Sequence, residues 1–341
     1  MSYWITFLTI PVVIFLNKYL LKKNILLNDT GNKHQKFSTI KKVPLIGGFF
    51  ILIFILLLEF NISFKALALL TFSIGLFSDL NLLKSPKIRI LLQSFFIFIF
   101  LFYADIKLEN LRIIFLENLL KNDLFNQLFL TFCIVVIING TNFIDGMNAN
   151  VLLYYSLIFL VILKLDGNYN LFFSKETINT LFLLLLILII LNLYSQLFMG
   201  DSGSYLISLI ASYFLINLYL LNQFISPFFI VLLLWYPAYE NLFSILRKFN
   251  LGKSPIKPDN NHLHHLIMKF LKNHFKRNIS NNLTSLIINS FNFITIYLGY
   301  INIRNTQIQV LLILFNVIFY NFIYFYLYNS KKNEKITYTK N

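Results

Sequence analysis

The sequence predicts an all-α, polytopic integral membrane protein, and three observations carry that prediction. Of its 341 residues, 57% are hydrophobic and 18% aromatic while only 13% are charged, against roughly 25% charged in an average soluble domain. The apolar residues gather into about eleven runs, each near the ~20 residues that a helix needs to cross a bilayer. Lys and Arg alternate from one side of these runs to the other, as they do when cytoplasmic flanks hold the positive excess.

In chain order, residues 3–20 carry their positive charges at the far end, in Lys18, Lys22 and Lys23, with none ahead of the apolar run and no small-residue cleavage site. That reads as an uncleaved anchor with its N-terminus outside. Runs 44–60 and 66–83 follow, the latter containing Gly75 to Asp79 (GLFSD), and run 88–104 begins after SPKIR. Run 125–141 leads into Asn139 to Asn148 (NGTNFIDGMN), and runs 149–165 and 177–194 precede Phe198 to Ser204 (FMGDSGS). Runs 203–221 and 224–241 lead to a long polar stretch, 240–282, which holds Pro258 to His265 (PDNNHLHH), and runs 283–301 and 308–328 close the series. Continuous runs of this kind exclude an outer-membrane barrel, whose strands alternate apolar and polar over about ten residues. Helices remain as the way to satisfy every backbone group in hydrocarbon.

The expectation is therefore one polytopic domain over 1–341 with about 10–11 transmembrane helices, and 240–282 as a long cytoplasmic loop carrying the histidines. Lys18, the odd-numbered loops and the tail hold 22 of the 29 Lys and Arg residues. The other seven are Lys65, Lys107, Arg112, Lys121, Lys164, Lys175 and Arg304. This places the N-terminus outside and the C-terminus in the cytoplasm. The net charge of +15 reads as positive-inside topology and attraction to anionic headgroups, with no nucleic-acid partner. The single cysteine, Cys133, falls inside a run and forms no intramolecular disulfide.

On this topology all four polar clusters face the cytoplasm. Polar groups in a hydrocarbon-soluble scaffold are costly and usually functional, so the clusters are expected to converge on one site at the membrane surface. Asp79, Asp145 and Asp201 are acids on a basic face, and carboxylates with amide oxygens suit a hard divalent ion. Around them stand Lys33, Lys36, Lys41, Lys42, Lys84, Lys87, Arg89, Arg247, Lys253 and Lys257. Carboxylates for a metal and cations for oxyanions are the inventory of phosphoryl transfer. Gly146, Gly200 and Gly203 stand beside the acids, either to let a backbone approach a phosphate or as ordinary interhelical turns.

Three readings stay open for His262, His264 and His265: nucleotide or phosphate contacts, a zinc site, or a solvated loop without function. Against zinc, no cysteine accompanies them. Gly252-Lys253-Ser254 looks like the end of a Walker loop, but its required first glycine falls on Arg247. A CDP-alcohol phosphatidyltransferase needs Asp where Asn142 stands and Arg where Asn150 stands.

Taken as a set, VPLIGG ending at Gly48, GLFSD followed by SPKIR, INGTNFIDGMN, FMGDSGS, and YPAYENLFSILRKF leading to PDNNHLHHLI resemble the polyprenyl-phosphate N-acetylhexosamine-1-phosphate transferases. That family includes initiating enzymes of O-antigen and teichoic acid synthesis and the phospho-N-acetylmuramoyl-pentapeptide transferase. The resemblance runs from about Pro44 to His265. It implies ten or eleven spans, catalytic loops in the cytoplasm of a bacterial inner membrane, and a requirement for Mg²⁺. It further implies that the phosphate of undecaprenyl phosphate attacks the β-phosphorus of a UDP-N-acetylhexosamine, giving polyprenyl diphosphate-sugar and UMP.

By the same resemblance Asp79 and Asp201 are catalytic, and Asp201, Asn142 and Asp145 hold the metal. Lys42, Lys87, Arg89, Asn139, Asn142, Asp145, His262, His264 and His265 bind substrate, Lys87 and Arg89 through the lipid phosphate and the histidines through the nucleotide. The partners implied are the two substrates and membrane lipid, with a homodimer as the assembly to look for. UDP-GlcNAc, UDP-GalNAc and 6-deoxy derivatives are the candidate donors, and HLHH resembles the simple-hexosamine branches. The chain departs from the family pattern at Ser78, where an aspartate is usual, at Asn148 and Ala149, where an acid and a glycine are frequent, at Tyr194-Ser195-Gln196 and at Glu240. A mechanism that makes the first aspartate an obligatory base cannot apply here. The rival class is a transporter or flippase for lipid or sugar, which places ionisable groups near mid-span, or an inactive homologue.

Overall fold

The computed structural model describes residues 4–28, 42–252, 254 and 259–338, with side chains described from 6 to 330. In order the helices are α1 (Trp4–Phe7), α2 (Thr9–Lys23), α3 (Gly47–Leu57), α4 (Ile62–Asp79), α5 (Pro86–Tyr103), α6 (Ile114–Leu120), α7 (Asp123–Ile144), α8 (Asn150–Leu165), α9 (Lys175–Leu193), α10 (Gly200–Leu221), α11 (Pro227–Leu233), α12 (Trp235–Asn250), α13 (Leu263–Leu271), α14 (Arg277–Ile301) and α15 (Thr306–Tyr338). Among the described residues only isolated β-bridges accompany them, so the fold is all-helical as expected.

Seven helices are long and apolar enough to cross a membrane, or eight if α11 and α12 are counted as one broken span. This is consistent with a polytopic membrane protein and is fewer than the eleven apolar runs. The difference has local causes. The runs 44–60 and 149–165 yield the shorter apolar helices α3 and α8, and 3–20 yields the 15-residue α2 after the four-residue α1. The run 224–241 is broken by a 71° bend between α11 and α12. Pro237 has no N–H with which to bond the Leu233 carbonyl one turn back. The Tyr154 hydroxyl donates to that carbonyl at 2.8 Å instead.

Helix α10 is the axle of the fold. Of its span 89% is buried, against 22% for α5 and α15, and it packs on α3, α4, α7 and α8. Its contact with α4 is close: a Cβ at Gly75 would lie 2.3 Å from Ser202 Cα, so this crossing admits only glycine. The VPLIGG stretch reaches the start of α10 through a short parallel bridge, Phe198 donating to the Pro44 carbonyl at 2.9 Å and Gly47 to that of Phe198 at 3.0 Å. At the other end of the bundle Arg112 staples separate loops, donating to the carbonyls of Arg304, Phe224 and Ile225 and to the Thr306 hydroxyl.

Stretch 240–282 contains the end of α12, all of α13 and the start of α14. The amphipathicity of α12 is turned inside out: Glu240, Asn241, Ser244 and Lys248 are buried, while Leu242, Ile245, Leu246 and Phe249 are exposed. Exposed apolar positions at i, i+3, i+4 and i+7 form one stripe. A helix built that way presents hydrocarbon outward and polar groups to the protein. Helix α14 also buries a polar face, with Asn281, Thr284, Ser285, Asn289, Asn292 and Thr295 inside. It binds the rest of the bundle through pairs such as Asn289 Nδ2 to Asn150 Oδ1 (3.0 Å) and Trp235 Nε1 to Asn292 Oδ1 (2.9 Å). Interhelical hydrogen bonds of this kind hold helices together where lipid offers no hydrophobic drive.

Candidate functional site

The site forms where the last residue of α4, the first turn of α5, the end of α7 and the start of α10 meet. Gly200 opens α10 with φ +68°, and a Cβ there would fall 2.7 Å from Asp79 Oδ2, so both backbone and space demand glycine. The Asp79 carboxylate then reaches the free N–H groups that begin α10. Its Oδ1 accepts from Asp201 N–H at 2.8 Å, and its Oδ2 accepts from Ser202 N–H at 3.1 Å and the Ser202 hydroxyl at 2.8 Å. Asp79 is an N-cap supplied by another helix, with its charge at the positive end of the helix dipole.

Asp201, so placed, turns its side chain toward three partners. Oδ1 accepts from Asn142 Nδ2 at 2.8 Å, and Oδ2 accepts from Arg89 Nη1 and from the Ser78 hydroxyl. Arg89 Nη1 also donates to Ser78 Oγ and, at 3.4 Å, to the Tyr205 hydroxyl. Ser78 thus stands between Arg89 and Asp201, at the position where the family pattern has its first aspartate.

Asp145 follows directly on the end of α7. Its side chain keeps a small window on the site, yet the protein packed around it, together with the charges of Asp201 and Asp79, pushes its carboxyl up to about 8. Beside it Gly146 faces His264: a Cβ at Gly146 would lie 2.4 Å from His264 Nε2. His264 is fully buried, and burial and then its histidine neighbours hold it well below the usual imidazole range. Neither of its ring nitrogens has a hydrogen-bond partner among the described residues. The rings of His264 and His265 lie 4.2 Å apart on α13, and that of His262 lies 5.3 Å from Phe143. The NFIDG turn and the HLHH stretch are therefore in direct contact.

His262 Nδ1 is 2.9 Å from Glu240 Oε1, and Tyr320 donates to Glu240 Oε2 at 2.7 Å. Asp259 receives two bonds from Arg247, at 2.7 and 3.1 Å. Half-buried Asp259 would resist ionisation, but these bonds and the guanidinium charge keep it below the usual carboxylate range.

Asp79, Arg89, Asn142, Asp145 and Asp201 thus come together, with His262, His264 and His265 adjoining through Gly146 and Phe143. None of the other candidates that the structure describes shares a hydrogen bond with this group. Asn139 donates to Gln93 Oε1 at 3.0 Å and to the Val135 carbonyl at 2.8 Å. Lys42 and Lys87 are exposed, the latter on the first turn of α5 two residues before Arg89. Lys33, Lys36, Lys41, Lys253 and Lys257 lie outside the described residues. Sequence reasoning gave no part to Tyr320, one of 19 tyrosines, and treated Ser78 only as a missing acid. Among the described residues no three His, Cys, Asp or Glu side chains form a closed metal site.

Residues 61–219 match the family model described as Glycosyl transferase family 4. Similar curated proteins are a decaprenyl-phosphate N-acetylglucosaminephosphotransferase of Mycolicibacterium smegmatis, 30% identical over 174 residues covering 45% of this chain and 43% of that protein. A probable undecaprenyl-phosphate N-acetylglucosaminyl 1-phosphate transferase of Bacillus subtilis is 32% identical over 152 residues, 41% of this chain and 40% of that protein. An undecaprenyl-phosphate alpha-N-acetylglucosaminyl 1-phosphate transferase of Salmonella typhi is 28% identical over 191 residues, 54% and 52% respectively. The chain spans about half the length of these curated relatives. The matched segment contains Asp79, Arg89, Asn142, Asp145 and Asp201, so the acids that meet in the site fall within the stretch that resembles glycosyl transferase family 4.

Proposed function

We propose that this protein transfers N-acetylhexosamine-1-phosphate from a UDP-sugar to a polyprenyl phosphate, undecaprenyl phosphate in a bacterial membrane, as the initiating step of a surface polysaccharide. The observation that supports this most is the meeting of the GLFSD, NFIDG, FMGDSGS and HLHH residues around Asp201 and Gly146. The names of the three relatives, all polyprenyl-phosphate N-acetylglucosamine-phosphate transferases, agree with it.

In this reading an oxygen of the lipid phosphate attacks the β-phosphorus of the UDP-sugar. The bond from that phosphorus to the bridging oxygen breaks, and UMP leaves with the bridging oxygen. A lipid phosphate is an oxyanion at neutral pH, so alignment and charge neutralisation are what the protein must supply. Arg89 offers a cation to the phosphates, and Asn142 and Ser78 orient the Asp201 carboxylate. The role of Asp79 is to hold the start of α10, since both its oxygens already accept hydrogen bonds there. The buried histidines and Asp145 line the nucleotide side.

The donors present fit Mg²⁺: they are oxygens, and of the three acids only Asp201 has an ion pair with a cation among the described residues. Mg²⁺ commonly takes one or two carboxylates and completes its shell with waters and substrate phosphates, which matches the open arrangement of Asp201 and Asp145. When bound it neutralises charge on the diphosphate and on departing UMP.

The proposed topology has ten or eleven crossings counting the short helices, the N-terminus outside, the C-terminus inside, and the site and stretch 240–282 at the cytoplasmic face. Asp79 ends α4, Asp145 follows α7 and Asp201 begins α10. Acids at helix ends favour the enzyme over a transporter, whose coupling groups sit near mid-span. The test is release of UMP by detergent-purified protein given undecaprenyl phosphate, Mg²⁺ and a panel of UDP-N-acetylhexosamines, with lipid-free and EDTA controls. Lipid- and metal-dependent UMP from one donor supports the reading and names the sugar. No UMP from any donor, with folded protein, rejects it.

A further inference from the structure

We propose that Glu240 and Tyr320 are positioning residues that lock the His262 ring at the nucleotide side of the transferase site, making α15 part of that site. The inference rests on the transferase reading and extends it, because neither residue lies within the matched segment 61–219.

Glu240 is 1% exposed on α12, with both carboxylate oxygens engaged. Oε1 faces His262 Nδ1 at 2.9 Å, and Oε2 accepts from the Tyr320 hydroxyl at 2.7 Å. Among the described ion pairs its only partner is His262. A buried carboxylate is costly in a membrane protein and tends to be kept for function. Here its partners are an imidazole and a phenol, and among the described residues the phenol hydroxyl bonds only to Glu240.

A carboxylate on Nδ1 makes that nitrogen a donor and fixes the ring on that side, so that Nε2 faces Asp259 and any ligand entering beside it. The same device orients histidines at metal sites and catalytic triads. The ring plane is fixed as well. His262 lies within 9° of parallel to His264 at 5.6 Å, and Phe143 closes in at 5.3 Å. Nε2 points toward Asp259 Oδ1, 3.5 Å away and itself held by Arg247. Tilt and direction are thus set by α12, α15 and the end of α7 together.

A purely structural bond between α12 and α15 would leave the same picture, so the test must separate the two. Tyr320→Phe removes one hydroxyl and no carbon, and Glu240→Asp retains the charge on a shorter stem. Each is measured alone and in a His262→Ala background, by UMP release and by calorimetric titration of the detergent-purified protein with UMP. The expected result for Tyr320→Phe is a roughly tenfold rise in KM for the UDP-sugar and in the Kd for UMP, the scale of one lost hydrogen bond, with kcat less affected. Glu240→Gln removes the charge that faces Nδ1 and should cost more, and Glu240→Asp should restore part of the loss.

In the His262→Ala background the same changes should add nothing to the Kd, because residues that act through one partner are not additive. Equal losses in both backgrounds, or unchanged KM and Kd in Tyr320→Phe, overturn the inference while leaving the transferase reading intact. Failure of the unmodified protein to release UMP with any donor overturns that reading and this inference with it. Should Glu240→Gln fail to fold, as judged by gel filtration, Tyr320→Phe carries the test.

Discussion

The carboxylate of Asp79 caps the helix that carries Asp201, accepting the Asp201 backbone N–H at 2.8 Å while the Asp201 side chain turns away toward Asn142, Ser78 and Arg89. Two acids from separate motifs thus act as holder and held. Asp79→Asn keeps one acceptor and turns an amide NH₂ toward N–H or O–H donors. It should lower stability by about 1–2 kcal/mol, the usual value of an N-cap with its dipole interaction, and reduce turnover through misplacement of Asp201. Thermal unfolding in detergent beside UMP release checks this. Unchanged stability with lost turnover would point to direct chemistry at Asp79.

Asp201 has the opposite profile. Its backbone is fixed by Asp79, and its side chain meets only site residues, so Asp201→Asn should fold and insert normally. Turnover should fall by at least the roughly 10²–10³-fold that one preorganised electrostatic contact contributes. Retained UMP release would refute its proposed part in holding a cation.

The acids were legible in the sequence because a carboxylate interrupting an apolar run is conspicuous, and Asp79, Asp145 and Asp201 all sit at helix ends in the structure. Which acid serves which was not legible, since the capping of α10 by Asp79 depends on α4 ending where α10 begins, 122 residues apart. Tyr320 was hidden for the same reason, being 80 residues from Glu240 in a helix whose aromatic residues look alike. That Asn139, in the same polar motif, bonds Gln93 on α5 was equally hidden, the two being 46 residues apart. Hydropathy counted apolar runs well but could not see that Pro237 and the Tyr154 hydroxyl turn one of them through 71°.

Gly146 tests the contact between the NFIDG turn and the histidines. A methyl there would lie 2.4 Å from His264 Nε2, and a fully buried ring has little room to retreat. Gly146→Ala should cost about 1–3 kcal/mol, as overpacking does, and raise KM for the UDP-sugar. Adding His264→Ala opens the space, so the double variant should recover stability relative to Gly146→Ala. Thermal unfolding of the four proteins in the cycle measures the coupling.

Ala149 occupies a left-handed backbone position, φ +56°, where its N–H bonds Asn192 Oδ1 at 2.7 Å. A non-glycine residue there carries steric strain of about 1–2 kcal/mol, which accounts for the glycine frequent at this place in the family pattern. Ala149→Gly relieves the strain but gains freedom when unfolded, for an expected net stabilisation of about 0.5–1 kcal/mol. A raised apparent Tm with unchanged turnover is the predicted outcome, and a lowered Tm would mean that the methyl packs usefully.

Asp145 contributes to the pH dependence of the metal-free protein. Burial, then the charges of Asp201 and Asp79, raise its carboxyl from 3.8 to about 8 in the fold. Between these values the unfolded chain has lost the proton and the folded one retains it, so the folded state binds more protons and stability falls as pH rises. Below pH ~4 both states are protonated, and above pH ~8 both are ionised, so the slope is confined to that window. In EDTA the apparent Tm should therefore decline from pH 5 to pH 8. Asp145→Asn removes the ionisation and should flatten that decline, leaving the variant more stable at pH 8 by roughly 1–3 kcal/mol once screening through the open site is allowed for. A variant that keeps the full slope would show that another carboxylate controls it, while a variant that gains stability and loses UMP release would identify Asp145 as a charge retained for function at the expense of the fold.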